Sequence, residues 1–300
     1  MIKTSIIIVT YNSEKYIERL IASIYKFNND SDFEIIVADN ASGDNTIEEA
    51  KKLKRSFDSA GLQTVPGSAQ DKIFIIENSE NFGFAKGINI GAKTAAGEYL
   101  LFINPDTEWK NGSVGNFISV FESDASVGVV GGKILEKNGK TEKSAGRFLK
   151  TAEVFLTTLG LDEALGVRFS PNKRQEVDFV SGGFMAVRKD LFERLSGFDE
   201  NLFIYVEDME FCFRVKKQGL KVLFDPSAEI IHESHGSSNR SFAIENIYKG
   251  LLYFHKKHGN AFSYNSVKFL LKAKAFTLVS LGKIINNKYL TATYSKAIKI

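Results

Sequence analysis

The 300-residue chain predicts an α/β fold: a mostly parallel, doubly wound sheet with flanking helices, followed by a helical C-terminal extension. Three observations predict it. Short β-branched runs alternate with amphipathic segments through the first hundred residues. Polar turn residues close the runs at their C-terminal ends, and after Ser241 the pattern is helical to the last residue. An apolar share of 43% suffices for a substantial core.

Residues 5–9 are apolar and β-branched and read as the first strand. Ser13 has the character of an N-cap, with Tyr16, Ile17, Leu20, Ile21 and Ile24 spaced for one helical face. Residues 33–37 form the second strand, closed by Asp39-Asn40-Ala41-Ser42-Gly43, and 46–57 a helix. Residues 59–70, with Gly61, Pro66 and Gly67, read as a loop, and 73–76 as the third strand. A helix at 84–95 follows Asn81-Phe82-Gly83. The fourth strand, 99–103, stops at Asn104-Pro105, because proline lacks the N–H that a central strand needs.

The middle of the chain is less regular. Residues 127–130 suggest a strand, 136–144 a charged hairpin or loop, and 148–172 show no clear period. Residues 177–187 read as sheet with a tight turn at Ser181-Gly182-Gly183. A helix at 207–218 ends at Gly219, and short strands are expected at 220–224 and 228–232. Two helices, 242–258 and 265–285, follow. The expected division is a catalytic domain at 1–240 and a basic amphipathic helical extension at 241–300.

Cys212 is the single cysteine, so no internal disulfide forms and a reducing compartment is expected. The apolar run at Ile6 to Val9 is too short for a signal segment, and no stretch reaches the roughly 18 apolar residues of a membrane span. The net charge of +3 hides an asymmetry: Asn246 to Ile300 carries ten lysines and no Asp or Glu, leaving a net of −7 on the rest. Lys268, Lys272 and Lys283 fall within about 60° of one another on a helical wheel, with apolar residues around them. Such a helix lies at a membrane surface or, alternatively, packs on the catalytic domain or on a second subunit.

Polar clusters close the predicted strands at the edge where open α/β sheets bind ligands. Thr10-Tyr11-Asn12 follows the first strand, Asp39-Asn40 the second and Asp106 the fourth. Asp39 can accept the N3–H of a pyrimidine base with the Tyr11 ring edge beside it, although Asp-Asn-Ala-Ser-Gly is equally good turn sequence. Asp106, on the Asn-Pro-Asp turn, can grip a divalent cation and through it a diphosphate. A fourth cluster, Glu207-Asp208-Met209-Glu210, opens a helix, where the dipole favours acids. Phe203 to Val206 and Phe211-Cys212-Phe213 surround it with apolar groups, which raises a carboxyl pKa and suits general-base work.

Taken in order, Asn-x-Gly-Phe-Ala (Asn81 to Ala85), Asn-Pro-Asp, Ser-Gly-Gly-Phe-Met (Ser181 to Met185) and the Glu-Asp helix form a specific set. It resembles the family 2 inverting glycosyltransferases of the Rossmann-like GT-A fold, closest to their bacterial rhamnosyltransferase-like branch, from about Thr4 to Arg240. The resemblance implies transfer of a sugar from a nucleoside diphosphate, with dTDP-rhamnose favoured and UDP-hexoses open. The implied acceptor is a hydroxyl of a glycan or lipid-linked glycan, at the cytoplasmic inner face of the cell membrane. Thr10, Tyr11 and Asp39 are thereby expected to contact the donor nucleotide, Asp106 to bind Mg²⁺ or Mn²⁺, and Asp208 to act as catalytic base with Glu207 beside it. Asn12, Asn81, Gly83, Lys86 and Asn104 complete the expected donor-binding set. Gly182, Gly183 and Phe184 fall where the family forms its donor-sugar and acceptor floor. Relatives often carry two or three acids at the metal motif, whereas here Asp106 is the one carboxylate. His232, within His232-x-x-His235-Gly-Ser-Ser, is the expected additional ligand, a structural histidine being the alternative. Arg188, Arg214 and Arg240 are candidates for a cationic clamp on the diphosphate.

Other classes fit less well. A nucleotidyltransferase calls for a glycine-rich basic loop after the first strand, where Thr10-Tyr11-Asn12-Ser13-Glu14 stands instead. A dinucleotide cofactor is not indicated, since Gly-x-Gly-x-x-Gly is missing there. Nucleic-acid binding is disfavoured because the C-terminal lysines interleave with Leu and Ile and lack arginine. A non-enzymatic sugar-nucleotide or membrane-binding module remains the second reading. The sequence leaves the oligomeric state open, a homodimer included.

Overall fold

The computed structural model describes residues 2–28, 31–59, 73–233 and 240–300. Strands β1 (Thr4–Thr10), β2 (Phe33–Asp39), β3 (Ile73–Glu77) and β4 (Tyr99–Ile103) are parallel, in the spatial order β3-β2-β1-β4. Parallel neighbours need crossovers, and α1 (Glu14–Asn28), α2 (Thr46–Ser59) and α3 (Gly83–Thr94) provide them. Every position of β1, β2 and β4 is buried, as befits strands covered on both faces. Alternation assigns the faces. Ile6, Ile8, Ile35, Val37 and Leu101 pack with Ile17, Leu20, Ile21 and Ile24 of α1, whereas Ile7, Val9, Ile36, Ala38 and Phe102 join Ala85 and Ile88 of α3.

Beyond the Asn-Pro-Asp turn the chain makes β5 (Thr107–Asn111), α4 (Val114–Ser123) and β6 (Val127–Glu136). The region without a clear period is built of short pieces: β7 (Ala145–Gly146), α5 (Thr151–Thr158), β8 (Arg168–Phe169), β9 (Gln175–Glu176) and β10 (Phe179–Val180). Strands β7, β8 and β10 form a small second sheet. Then come β11 (Phe184–Arg188), α6 (Lys189–Arg194), α7 (Glu207–Lys217) and β12 (Lys221–His232). The main sheet runs β3-β2-β1-β4-β11-β6-β12-β5, with β9 also on β12. Because β11 is antiparallel to β4 and β6 while β12 is parallel to β6, the C-terminal ends of β1, β2, β4, β6 and β12 share one edge with the start of β11.

The tight turn at Ser181-Gly182-Gly183 stands where expected, but the strands it joins belong to different sheets. The two short strands expected at 220–224 and 228–232 are one strand, β12, whose register shifts between Phe224 and Glu229. Pro226, which cannot donate to a ladder, lies in that interval. Most of the expected loop at 59–70 lies outside the described residues, as does His235.

The extension comprises α8 (Arg240–His258), α9 (Ala261–Ile284) and α10 (Lys288–Ile298). The sequence reads as helical to its end with two helices named, and the structure divides that stretch into three. Asn287 caps α10, accepting from Leu290 N. Tyr248, Leu251, Leu252 and Phe254 of α8, and Val267, Leu271 and Ala275 of α9, enter the core cluster that also holds Phe102 and Phe211. The extension thus shares a core with the α/β body.

Candidate active site

Thr10 and Asp39 are register partners at the ends of β1 and β2, and both are fully buried. Asp39 Oδ1 accepts from Thr10 Oγ1 at 2.7 Å and Ser42 Oγ at 2.5 Å, and Oδ2 accepts from Ser42 N at 2.8 Å. The turn after β2 is therefore built around this carboxylate, which uses three of about four acceptor positions. Asn12, left-handed at φ 51°, ties the two loops together: its N–H donates to Ser42 Oγ at 2.8 Å and its Oδ1 accepts from Gly43 N at 2.8 Å. Tyr11 stands beside them, 45% exposed.

A second set of contacts joins this corner to α7. Asn40 Nδ2 donates to Gly83 O at 2.9 Å, and Gly83 N donates to Asn81 Oδ1 at 3.0 Å. Gly83 has φ +80°, and a Cβ there would stand 2.2 Å from Phe203 O. Phe84 N donates to that same carbonyl at 2.7 Å. Asn81 and Gly83 thus seat the start of α3 against the segment that leads into the acidic helix. Lys86 Nζ lies 3.7 Å from the Phe82 ring centroid.

The Asn-Pro-Asp turn meets the glycine turn directly. Asn104 N donates to Gly183 O at 3.1 Å, and a Cβ on Gly183 would be 2.8 Å from Asn104 Nδ2. Gly182 N donates to Asp208 Oδ2 at 3.0 Å, and Met209 N to Asp208 Oδ1 at 2.7 Å. Asn104, Gly183, Gly182 and Asp208 are therefore a continuous series of contacts from β4 to α7. Phe184 does not contribute its ring to this floor. That ring is buried, edge-on to Trp109 and Phe117 at 5.2 and 5.1 Å, because the strand pleat turns it into the core.

Tyr205 and Val206, at φ 67° and 70°, precede Glu207 as two consecutive left-handed residues without glycine. Such strain persists only where surrounding packing enforces it. Glu207 is buried, and its Oε2 has no hydrogen-bond partner among the described residues, whereas Asp208 keeps partial access to solvent. Burial pushes the Glu207 carboxyl well above its ordinary range, and the neighbouring Asp208 charge adds to this. Burial also raises Asp208, against the opposing N–H donors of Gly182 and Met209 and the nearby guanidinium of Arg168.

Asp106 and His232 meet at the same edge. His232 Nε2 faces Asp106 Oδ1 at 3.4 Å, and Nδ1 lies 2.8 Å from Glu142 Oε2. At 3.4 Å the contact is too long for a strong hydrogen bond, and Asp106 Oδ1 is buried without such a partner. Burial disfavours the imidazolium, but the flanking carboxylates of Asp106 and Glu142 outweigh it and push His232 up to about 10. Once a cation displaces the imidazole proton, the orphaned carboxylate oxygen and the ring nitrogen opposite it, with the other nitrogen held by an acid, form a donor set that fits a divalent cation. The described residues contain no group of three or more His, Cys, Asp or Glu arranged around one metal position. Oxygens from a diphosphate and water would have to complete the shell.

Two clamp candidates are corrected. Arg188 donates to Val127 O at 3.1 Å and Phe121 O at 2.5 Å, next to Tyr99 at the opposite end of β4. Arg214 is engaged with Glu210 through Nε at 2.8 and 3.0 Å, and with Leu195 O and Gly197 O. Both satisfy buried acceptors rather than facing the site. Arg240 opens α8, exposed. Sequence reasoning missed Glu142 and Arg168. Both come from the region between β6 and β10 that carries no period, so no local pattern marks them.

A family model described as Glycosyl transferase family 2 matches residues 5–196. The chain is 27% identical over 246 residues to rhamnosyltransferase WbbL of Escherichia coli (strain K12), covering 79% of this chain and 85% of that protein. It is 25% identical over 260 residues to the N-acetylglucosaminyl-diphospho-decaprenol L-rhamnosyltransferase of Mycobacterium tuberculosis (strain CDC 1551 / Oshkosh), covering 78% and 77%. Among solved structures, GalNAc-T7 with UDP, GalNAc and Mn²⁺ superposes with a TM-score of 0.61 at 16% identity, over 91% of this chain. The chain spans 54% of that longer protein, and at this identity the likeness concerns the fold.

Proposed function

Because the chain belongs to glycosyl transferase family 2, we propose that it moves rhamnose or a related hexose from a nucleoside diphosphate to a hydroxyl of a glycan or lipid-linked glycan, with inversion. The observation that carries this reading is the setting of Asp208. It is a partly accessible carboxylate, held by two backbone N–H groups above the Gly182-Gly183 turn and linked through Asn104 to the Asp106 edge.

In this reading Asp208 takes the proton of the acceptor hydroxyl as that oxygen attacks the anomeric carbon. The bond from that carbon to the diphosphate breaks, and the nucleoside diphosphate leaves from the opposite face. A positioned base contributes ~10²–10⁴-fold. Glu207, buried beside it with its carboxyl pushed up, stands next to the base rather than in its place. Asp39 builds the turn on which the nucleobase would rest, Tyr11 offers its exposed ring, and Thr10 and Asn12 hold the loops that carry them. Asn81 and Gly83 position α3, and Lys86 lies at the start of that helix.

A bound divalent cation would neutralise charge on the leaving diphosphate as a Lewis acid. Asp106 and His232 are the residues that would hold it, and an imidazole ligand favours Mn²⁺ over Mg²⁺. Arg168, which acts on Asp208, is the preferred cationic side chain near the site. The names of the two rhamnosyltransferase relatives favour rhamnose as the transferred sugar, carried in this reading by dTDP, with UDP-hexoses as the second choice.

The test begins with thermal shift across sugar nucleotides in the presence of Mn²⁺. The donor that stabilises the protein is then used in transfer assays with Asp208→Asn. The variant is expected to lose about 10²–10⁴-fold in kcat while calorimetry shows donor affinity retained. Full transfer by the variant would remove Asp208 from the base role, and no stabilisation by any sugar nucleotide would sink the donor reading.

A further inference from the structure

We propose that the outer face of α9, together with α5, docks on the surface of an anionic lipid bilayer, which adds a membrane partner to the transferase reading. Phe262, Phe269 and Phe276 recur every seven residues along α9 and are 79%, 71% and 67% exposed, with Ile284 at 81%. Beside them Phe155 of α5 and the following Leu159 are about half exposed. Phe155, Phe262 and Phe269 line an open groove of about 810 Å³. The packing face of α9 is a different one, since Val267, Leu271, Ala275 and Val279 recur every four residues and are buried. An aromatic stripe this exposed marks an interaction surface.

The charge beside the stripe selects the occupant. Lys268, Lys272 and Lys283 flank the phenylalanines on one side of the wheel, and neither α9 nor α10 contains Asp or Glu. A second copy of the chain is the competing occupant. Two-fold pairing through this stripe sets lysines against lysines with no acid on either helix to pair them. Asn265 and Lys272, three residues after Phe262 and Phe269, are polar where a helix-pair seam needs apolar groups. An anionic bilayer accommodates both components: aromatic rings enter the headgroup–acyl boundary while lysines meet lipid phosphates. Among the described residues no helix is long and apolar enough to cross a membrane, so the contact is a surface one.

Flotation of the full chain with phosphatidylcholine vesicles, with and without phosphatidylglycerol, tests the inference. The wild type is expected to float with the anionic vesicles only. The double variant Phe269→Ser/Phe276→Ser should bind at least about tenfold more weakly, since each buried aromatic ring contributes that much or more. Lys268→Gln/Lys272→Gln should also weaken binding, and both variants should keep wild-type circular dichroism because the side chains changed lie at the surface. Wild-type protein that stays behind, or a phenylalanine variant that floats equally well, overturns the proposal. So does a dimer in light scattering that the same phenylalanine variant converts to monomer, because that assigns the face to a second copy. Donor binding is measured without lipid, so failure to float with donor affinity intact leaves the transferase reading in place.

Discussion

Asp208 can serve as a base only when ionised, and its surroundings set where that happens. Burial raises its pKa above the ordinary 3.8. The kcat/KM is therefore expected to hold a plateau above the raised value and to fall as pH drops through it. Arg168 favours the ionised form, so Arg168→Ala should move that acidic limb to higher pH, a shift read directly from the profile. A limb that does not move would separate Arg168 from the base. At the other end of the site, Glu142 fixes which nitrogen of His232 faces Asp106. Acids that orient a ligating imidazole are worth about 10–100-fold in metal affinity. Glu142→Ala should weaken Mn²⁺ binding in the presence of UDP by that factor, followed by electron paramagnetic resonance of the free ion, and Glu142→Gln, which keeps an acceptor, by less. Unchanged Mn²⁺ affinity in Glu142→Ala would leave His232 without a positioning partner.

At the scale of elements, the start of α3 is held by one glycine. Gly83 combines φ +80° with a Cβ position 2.2 Å from Phe203 O, and backbone on the far side cannot swing away. Gly83→Ala is expected to cost about 1–3 kcal/mol in urea unfolding, and to loosen the segment before α7. A variant as stable as the wild type would show that Phe203 yields. The Asn-x-Gly-Phe-Ala motif was legible through its likeness to the family pattern, and the backbone conformation at Gly83 is the physical reason that a glycine stands there. Strands β1 to β4 were legible through their unbroken apolar runs, and the end of β4 through Pro105. What stayed hidden depends on contacts remote in sequence. Glu142 and His232 are 90 residues apart, and the inward turn of Phe184 follows from its register against Ile103. The unity of β12 comes from pairing along β6, which carries its two expected halves past Pro226. α10 buries Thr293 and Ala297, where α1 buries Ile17, Leu20, Ile21 and Ile24, so its helical period is faint beside that of α1.

For the whole molecule, the extension acts as a buttress for the acidic helix. A Cβ on Gly250 of α8 would stand 2.9 Å from Val206 Cγ2, so the two backbones approach closely where the left-handed pair enters α7. One turn later Glu210, fully buried, accepts from Arg214 on its own helix and from Lys257 at 2.8 Å, and lies 2.9 Å from His258 Nε2 on α8. Burial disfavours its charge, but the Arg214 hydrogen bonds, with those of Lys257 and His258, outweigh it and hold the carboxyl below its ordinary 4.5. A depressed acid stabilises the fold above its unfolded pKa and loses that contribution as pH falls through the folded value. Removing the carboxylate leaves the largely buried Arg214 guanidinium without its acidic partner, so Glu210→Ala is expected to cost about 3–5 kcal/mol near neutral pH. The same variant should weaken the seat of α8 on α7 and lower kcat through Asp208, although Glu210 touches no substrate in this reading. Urea titrations of wild type and variant from pH 7 down through the carboxyl range should show their stability difference shrinking, because acid removes from the wild type what the substitution has already removed. A difference that stays constant with pH would mean that Glu210 holds the two helices by packing rather than by charge.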